Sequence, residues 1–345
     1  MATIPLPPLA LTMGEPAGIG ADIALKAWGR RHEGVAPFFL IDDPARLRRA
    51  AGLLGLDVPV AEIADPAEAG PVFATALPVI PQPLVQAVEP GRPDPANAKA
   101  VQESIARAVA MARAGTAAGV VTNPIHKQVM YRGGFAFPGH TEFLASLLAA
   151  ELTGPGGREA MMLACPGLRV VPVTIHVALA EAIRTLRRED IVAIGVATAA
   201  ALVRDFGIRN PRLAVAALNP HGGEDGSMGR EEIDIIAPAV ADLAAAGIMA
   251  FGPRPADTLF HPRARAEYDA VLCMYHDQAL IPLKTIDFDG GVNITLGLPI
   301  VRTSPDHGTA LDLAGTGKAS EASLVAALRT AAEIAANRRR SAPPR

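Results

Sequence analysis

Short apolar runs alternate along this chain with longer alanine-rich stretches whose hydrophobic positions recur about every 3.6 residues. The short runs predict strands at Pro8–Thr12, Phe38–Ile41, Gly119–Thr122, Arg169–Thr174, Leu213–Ala217 and Ala270–Met274. The helical period predicts helices over Ile19–Arg31, Ala96–Ala114, Thr141–Glu151, Leu179–Leu186, Arg188–Phe206, Glu231–Ala246 and Ala319–Arg338. Strands and helices taking turns in this way imply an α/β fold with a mostly parallel sheet, since a parallel pair needs a crossover that a helix supplies. Leu56–Pro95 is crowded with prolines, which cannot donate to a ladder, and predicts edge strands and loops. The tail Arg338–Arg345 predicts no packed structure.

Five of the apolar runs end in polar turns: Met13-Gly14-Glu15-Pro16-Ala17-Gly18, Asn123-Pro124-Ile125-His126-Lys127, His176, Asn219-Pro220-His221-Gly222-Gly223 and Tyr275-His276-Asp277-Gln278. Ligands of open α/β sheets bind at the carboxyl ends of strands, so these turns point to one shared cleft and to an enzyme. In three of them a histidine stands just past the strand: His176, His221 and His276. Imidazole is the commonest metal ligand near neutral pH, and three of them leave a coordination position open. His176, His221 and His276 lie too far apart in sequence for a local metal motif, so only the fold could gather them. Each alone reads more readily as a hydrogen-bonded structural residue, and only their shared strand-end position makes the two readings even. Asp277 could orient an imidazole, touch a metal, take a proton or cap the following helix. Lys284, Asn293 and Arg302 offer donors for a carboxylate or phosphate. His140-Thr141 opens a helix, with Thr141 as its N-cap, where an anion is favoured.

The loop from His307 to Gly317 is rich in glycine yet matches neither GxGxxG nor GxxxxGK[ST], so a Rossmann or P-loop nucleotide site is not supported. Bulk properties narrow the reading further. At 345 residues, two domains are the default. A net charge of -3 argues against nucleic-acid or membrane-surface partners. Two cysteines, Cys165 and Cys273, exclude a disulfide framework and suit a reducing cytoplasm; both lie in apolar runs and read as inert. The proline-broken N-terminus is no secretory signal, and no apolar run is long enough to span a bilayer.

The segments LTMGEPAGIG, TNPIHK, GHTEFLA, LNPHGGEDGSMGREEID, YHDQALIPLK and FDGGVNITLGLPIVRTSPDHGTALDLAGTGKA, in this order from Leu11 to Lys318, resemble the 4-hydroxythreonine-4-phosphate dehydrogenase family of pyridoxal phosphate biosynthesis. The resemblance implies a two-domain α/β/α subunit of the isocitrate/isopropylmalate dehydrogenase type: residues 1–140 and 300–345 on the cofactor side, 141–299 carrying substrate, metal and dimer contacts. It implies a homodimer whose subunits share one divalent ion (zinc, magnesium or cobalt) between His176, His221 and His276. Substrate contacts fall on His140, Thr141, Lys284, Asn293 and Arg302, with Asp277 and Lys284 as catalytic candidates. The HGTALDLAGTGKA loop resembles an adenosine-binding loop and assigns cofactor contacts to His307, Gly308, Asp312 and Gly315. An acidic Asp312 would repel a 2′-phosphate, which favours NAD over NADP. Three alternatives are a dehydrogenase of erythronate or threonate 4-phosphate, a dehydrogenase of a non-phosphorylated aromatic dihydrodiol, which the intact GHTE and LPIVRTSPDHG segments disfavour, and, from another class, a non-catalytic metal- or nucleotide-binding regulator.

Overall fold

The computed structural model describes residues 6–149 and 159–341. The chain divides into two compact units, one built from the residues up to Ala149 with Pro299–Arg339, the other from Ala150–Leu298. The first unit opens with strands β1 (Leu9–Thr12), β2 (Phe38–Asp42), β3 (Val60–Glu62), β4 (Leu77–Pro81) and β5 (Val120–Val121). The second holds β6 (Ala160–Cys165), β7 (Leu168–Pro172), β8 (Arg212–Ala216), β9 (Met249–Arg254), β10 (Ala270–Cys273) and β11 (Val292–Leu296). The chain then returns to the first unit with β12 (Arg302–Pro305).

In the first unit the strands lie in the order β3-β4-β2-β1-β5-β12 and every pair is parallel. In the second the order is β11-β6-β7-β10-β8-β9, with β6 antiparallel to both neighbours and the other pairs parallel. The architecture is α/β and mostly parallel. Helices α1 (Gly20–Gly29), α2 (Pro44–Leu54), α3 (Ala69–Phe73), α4 (Ala98–Arg113), α5 (Lys127–Arg132) and α6 (His140–Leu148) belong to the first unit. The second carries α7 (Leu179–Thr185), α8 (Arg188–Arg204), α9 (Ala237–Ala245), α10 (Pro262–Arg265) and α11 (His276–Ile286), before α12 (Ala322–Ser341) closes the chain.

Burial on both faces is why β1 and β2 read as unbroken apolar runs: every residue of Leu9–Thr12 and Phe38–Asp42 is buried. Trp28 of α1 packs into this core and spends its one donor on the Phe73 carbonyl at 2.9 Å. Helix α2 has ideal ends, with Asp43 accepting from the Arg46 amide, Pro44 in the first turn and a left-handed Gly55 after the last. Its period escaped the sequence because the buried face includes Arg46, 3.4 Å from the buried Asp42.

Four expectations change. β4 is not an edge strand: it lies between β2 and β3, with Val79 and Ile80 buried between Pro78 and Pro81. β6 and β7 form a hairpin around Pro166-Gly167, the glycine taking φ +78° as the third residue of the turn, whereas MMLAC alone fits a helix as well as a strand. Helix α12 continues to Ser341, so the start of the supposed loose tail is helical, and Arg338 Nη1 donates to the Pro299 carbonyl at 3.0 Å. Residues 342–345, and Glu151 at the expected end of α6, lie outside the described residues. Finally, Thr141 is not the N-cap of α6. That position is Gly139, in extended backbone, where a Cβ would come 3.3 Å from Glu142 Oε2.

Candidate active site

In the first unit the turns leaving β1 and β5 pack on each other. The Glu15 amide donates to the Pro124 carbonyl at 2.8 Å, and a Cβ on Gly14 (φ +70°) would fall 2.6 Å from Asn123 Cβ, so only glycine fits. The β5 turn leads into α5 at Lys127 and then to α6, which begins with His140. Part of His140 reaches the surface, but its Nε2 is sealed from solvent and has no hydrogen-bond partner among the described residues. Burial pushes the imidazole down to about 3, and the charges of Arg302 and Lys127 push the same way. At neutral pH the ring is therefore uncharged, with one nitrogen donating and one accepting.

Arg302 lies on β12, buried, with Nη2 donating to Thr122 Oγ1 at 2.8 Å. Burial lowers its guanidinium to about 10, which still leaves it charged at neutral pH. A neutral imidazole and a fixed cation, each desolvated, make this end suited to an anion.

In the second unit, bonds beyond the ends of β7 and β10 hold two chain exits side by side: the Val173 amide to the Cys273 carbonyl at 2.7 Å and Thr174 Oγ1 to the Met274 carbonyl at 2.8 Å. One exit delivers His176 at φ +46°, the other His276 as the first residue of α11. Their ring centroids are 5.6 Å apart. Asp277 Oδ1 lies 2.7 Å from His276 Nδ1, which holds the neutral ring's proton there and leaves Nε2 as a lone-pair donor. Gln278 joins the β8 exit to this pair, accepting from the Met274 amide at 2.6 Å and donating to the Ala217 carbonyl at 2.7 Å. Just beyond Ala217 stands His221, at φ +52°.

His176 and His276 thus come together. Among the described residues, however, no three His, Cys, Asp or Glu side chains gather in a metal-binding group, so His221 is not added to that pair within one chain. The pair itself fits a cation: two neighbouring imidazoles, one oriented by a carboxylate. Lys284 stands two turns along α11, its Nζ 5.1 Å from the Phe288 ring centroid, and Asn293 lies on β11 opposite Leu163. Cys273 is buried, and burial raises its thiol; the same effect lifts Cys165 to about 11. Neither is a nucleophile.

The glycine loop docks on the start of α1. Gly315 donates to Asp22 Oδ2 at 2.8 Å, and the Ile19 amide to the Thr309 carbonyl at 3.1 Å. His307 Nδ1 lies 3.0 Å from the Gly308 carbonyl, and Asp312 is exposed. Among the described residues, the non-glycine residues at positive φ are His176, His221, Glu224, Asp225 and Ala310. Each costs about 1–3 kcal/mol and persists where its surroundings enforce it, commonly at functional sites. Here they fall at two of the three histidine turns and in the glycine loop. Sequence reasoning missed Thr122, Lys127 and Glu232. The last sits in the charged stretch GREEID, which reads as a solvated face, yet it is 4% exposed.

Comparison with known proteins bears on what this arrangement does. Residues 34–331 match the family model of the pyridoxal phosphate biosynthetic protein PdxA. A 4-hydroxythreonine-4-phosphate dehydrogenase of Caulobacter vibrioides is 56% identical over 332 residues, covering 96% of this chain and 98% of that one. The crystal structure of a 4-hydroxythreonine-4-phosphate dehydrogenase from Klebsiella pneumoniae superposes with a TM-score of 0.84 at 39% identity, covering 95% and 99% of the two chains. A terephthalate 1,2-cis-dihydrodiol dehydrogenase from Burkholderia xenovorans is similar at a TM-score of 0.61 and 28% identity, covering 95% and 98%. Among the described residues no helix is long and apolar enough to cross a membrane.

Proposed function

Because the chain belongs to the PdxA family of pyridoxal phosphate biosynthetic proteins, we propose that it oxidises 4-hydroxy-L-threonine 4-phosphate at its secondary hydroxyl, with NAD as acceptor. The product, 2-amino-3-oxo-4-phosphooxybutanoate, is a β-keto acid that loses CO₂ to give 3-amino-2-oxopropyl phosphate. The observation that carries the reading is the His176–His276 pair with Asp277 on its far nitrogen.

Each residue then has a task. Arg302 and the neutral His140 hold an anionic group of the substrate, with the Thr141 hydroxyl beside them at the start of α6. Lys284 and Asn293 fix its orientation, which can supply several kcal/mol of the barrier reduction. His176 and His276 hold a divalent cation, and the partner subunit's His221 completes the set. Large apolar side chains exposed just after both histidines, Val177 and Leu179 on one side and Ile281 and Phe288 on the other, suit a homodimer that covers them. Bound there, the cation supplies Lewis acidity and the nicotinamide a hydride acceptor. Asp277 keeps the His276 lone pair forward and is the candidate to take the hydroxyl proton. His307, Gly308, Asp312 and Gly315 receive the cofactor, and the exposed carboxylate of Asp312 disfavours a 2′-phosphate.

Likeness to the dihydrodiol dehydrogenase favours a second reading, a diol without phosphate. A third is erythronate or threonate 4-phosphate. Steady-state assays of the purified protein on all of these, with NAD and with NADP, separate them. A higher kcat/KM on the diol or on either sugar-acid phosphate overturns the substrate assignment. A clear preference for NADP overturns the role of Asp312.

A further inference from the structure

The segment bearing His221 is the most contorted in the second unit. His221, Gly222, Gly223, Glu224 and Asp225 take φ of +52°, +69°, +79°, +40° and +55°, and Gly226 follows at +96°. Three of these six are not glycine, and L-residues resist that region by roughly 1–2 kcal/mol each. Its local bonds include Gly222 to Asn219, Ser227 to Glu224 and Met228 to Gly223, each at 3.1 Å between backbone atoms. Something outside the turn must hold it.

Glu232 does. Its Oε1 accepts from the Leu218 amide at 2.8 Å and the Asn219 amide at 2.7 Å, and its Oε2 from Asn219 Nδ2 at 2.9 Å. Asn219 Nδ2 also donates to Glu231 Oε2 at 2.7 Å. The backbone closes around this carboxylate only because two positions lack a side chain. A Cβ on Gly223 would lie 2.7 Å from Glu232 Oε2, and one on Gly229 would lie 2.5 Å from Asn219 Nδ2. Glu232 also begins a π-helical turn, Glu232–Ile236, a rare distortion frequent at functional sites.

We propose that Glu232 is a positioning residue: buried and touching neither substrate nor cofactor, it fixes the left-handed turn that sets the His221 imidazole for a metal ion. The inference rests on the reading above that His221 is a ligand. Both carboxylate oxygens are needed. Glu232→Gln keeps the shape but turns an amide toward Asn219 Nδ2, donor against donor. Adding Asn219→Asp together with Glu231→Gln reverses the polarity of both Asn219 Nδ2 contacts and restores them.

The test is titration of the metal-stripped, full-length protein with cobalt(II), following affinity and the visible spectrum of the bound ion, with a thermal melt of each variant. Glu232→Gln should weaken binding about 10- to 100-fold, as loss of a partner behind a metal ligand does, and alter the spectrum. Asn219→Asp/Glu231→Gln/Glu232→Gln should return both toward wild type. A purely structural role would lower the melting temperature and leave the spectrum unchanged. Wild-type affinity and spectrum in Glu232→Gln overturn the inference. Should that variant fail to fold, Asn219→Ala is read in the same way. His221→Ala separates the two claims. If it binds cobalt like wild type, the ligand assignment falls; if it loses the ion while Glu232→Gln does not, only the role of Glu232 falls.

Discussion

His140 and His276 each open a helix, α6 and α11, and differ in almost everything else. Behind an extended Gly139, His140 has its Nε2 sealed, and burial pushes its pKa to about 3. The His276 side chain is 33% exposed and has a carboxylate oxygen 2.7 Å from Nδ1. Burial gives up the option of charge and leaves a group of fixed polarity, which suits recognition. Exposure with an orienting carboxylate keeps a lone pair presented to an exchangeable ligand. One residue type thus takes two forms, set by desolvation in one unit and by an orienting carboxylate in the other.

The sharpest way to break this contrast is to remove each ring. His276→Ala should strip the metal and lower kcat by about 10³-fold or more, since Lewis-acid stabilisation is worth several kcal/mol. His140→Ala should keep its metal content, checked by elemental analysis, and lose activity mainly through KM. Equal metal loss in both would erase the distinction.

Next in size is Arg302→Met, which leaves Thr122 Oγ1 without its donor and the substrate anion without a cation. A cost of about 2–5 kcal/mol in kcat/KM is expected, with metal affinity unchanged.

A smaller effect lies in the pH dependence of stability. The folded pKa of His140, about 3, lies below the 6.5 of an unperturbed histidine. Between those values the unfolded chain binds a proton that the folded protein refuses. Stability from this group is therefore complete above pH 6.5 and declines as the pH falls toward 3. Asp42, pushed up to about 6 by burial, acts the other way: its contribution falls as the pH rises from 3.8 through 6. Urea denaturation of His140→Gln against wild type at each pH isolates the first effect, and the stability of the variant relative to wild type should rise as the pH falls from 6.5 toward 3. A constant difference would mean that His140 can be protonated in place.

The smallest effect reverses sign between the units. His221 sits at φ +52°, so His221→Gly should be more stable than His221→Ala by about 1 kcal/mol. His140 is helical, so His140→Gly should be less stable than His140→Ala by a similar amount. Melting curves of the four metal-free variants decide it.

Much of the fold was legible where burial and apolarity coincide, as in LALT, FFLID and AVLC. It was illegible where they part. The RTSP strand is wholly buried although Arg302, Thr303 and Ser304 are polar, because its side chains are partnered inside the protein, as Arg302 is by Thr122. Helix α2 hides for the same reason, with Arg46 on its inner face. At the site, residue types at strand ends singled out the histidines, and donor chemistry singled out Arg302 and Lys284. Neither could reveal that His140 is held neutral, since that depends on a local dielectric made by residues distant in sequence. Glu232 was hidden by its own charge among charged neighbours.

The route of the chain has a consequence for its synthesis. β12 pairs with β5, setting Arg302 beside Val120 and Thr303 beside Val121, so the first unit's sheet is finished by residues made about 180 positions later. At about 5–20 residues per second, the nascent β5 waits roughly ten to forty seconds for that neighbour. The intervening unit is one uninterrupted stretch, free to form its own sheet as it leaves the ribosome. Arg302 is thus translated late, and a chain released before it would lack the cation proposed for the substrate's anionic group whatever else had folded.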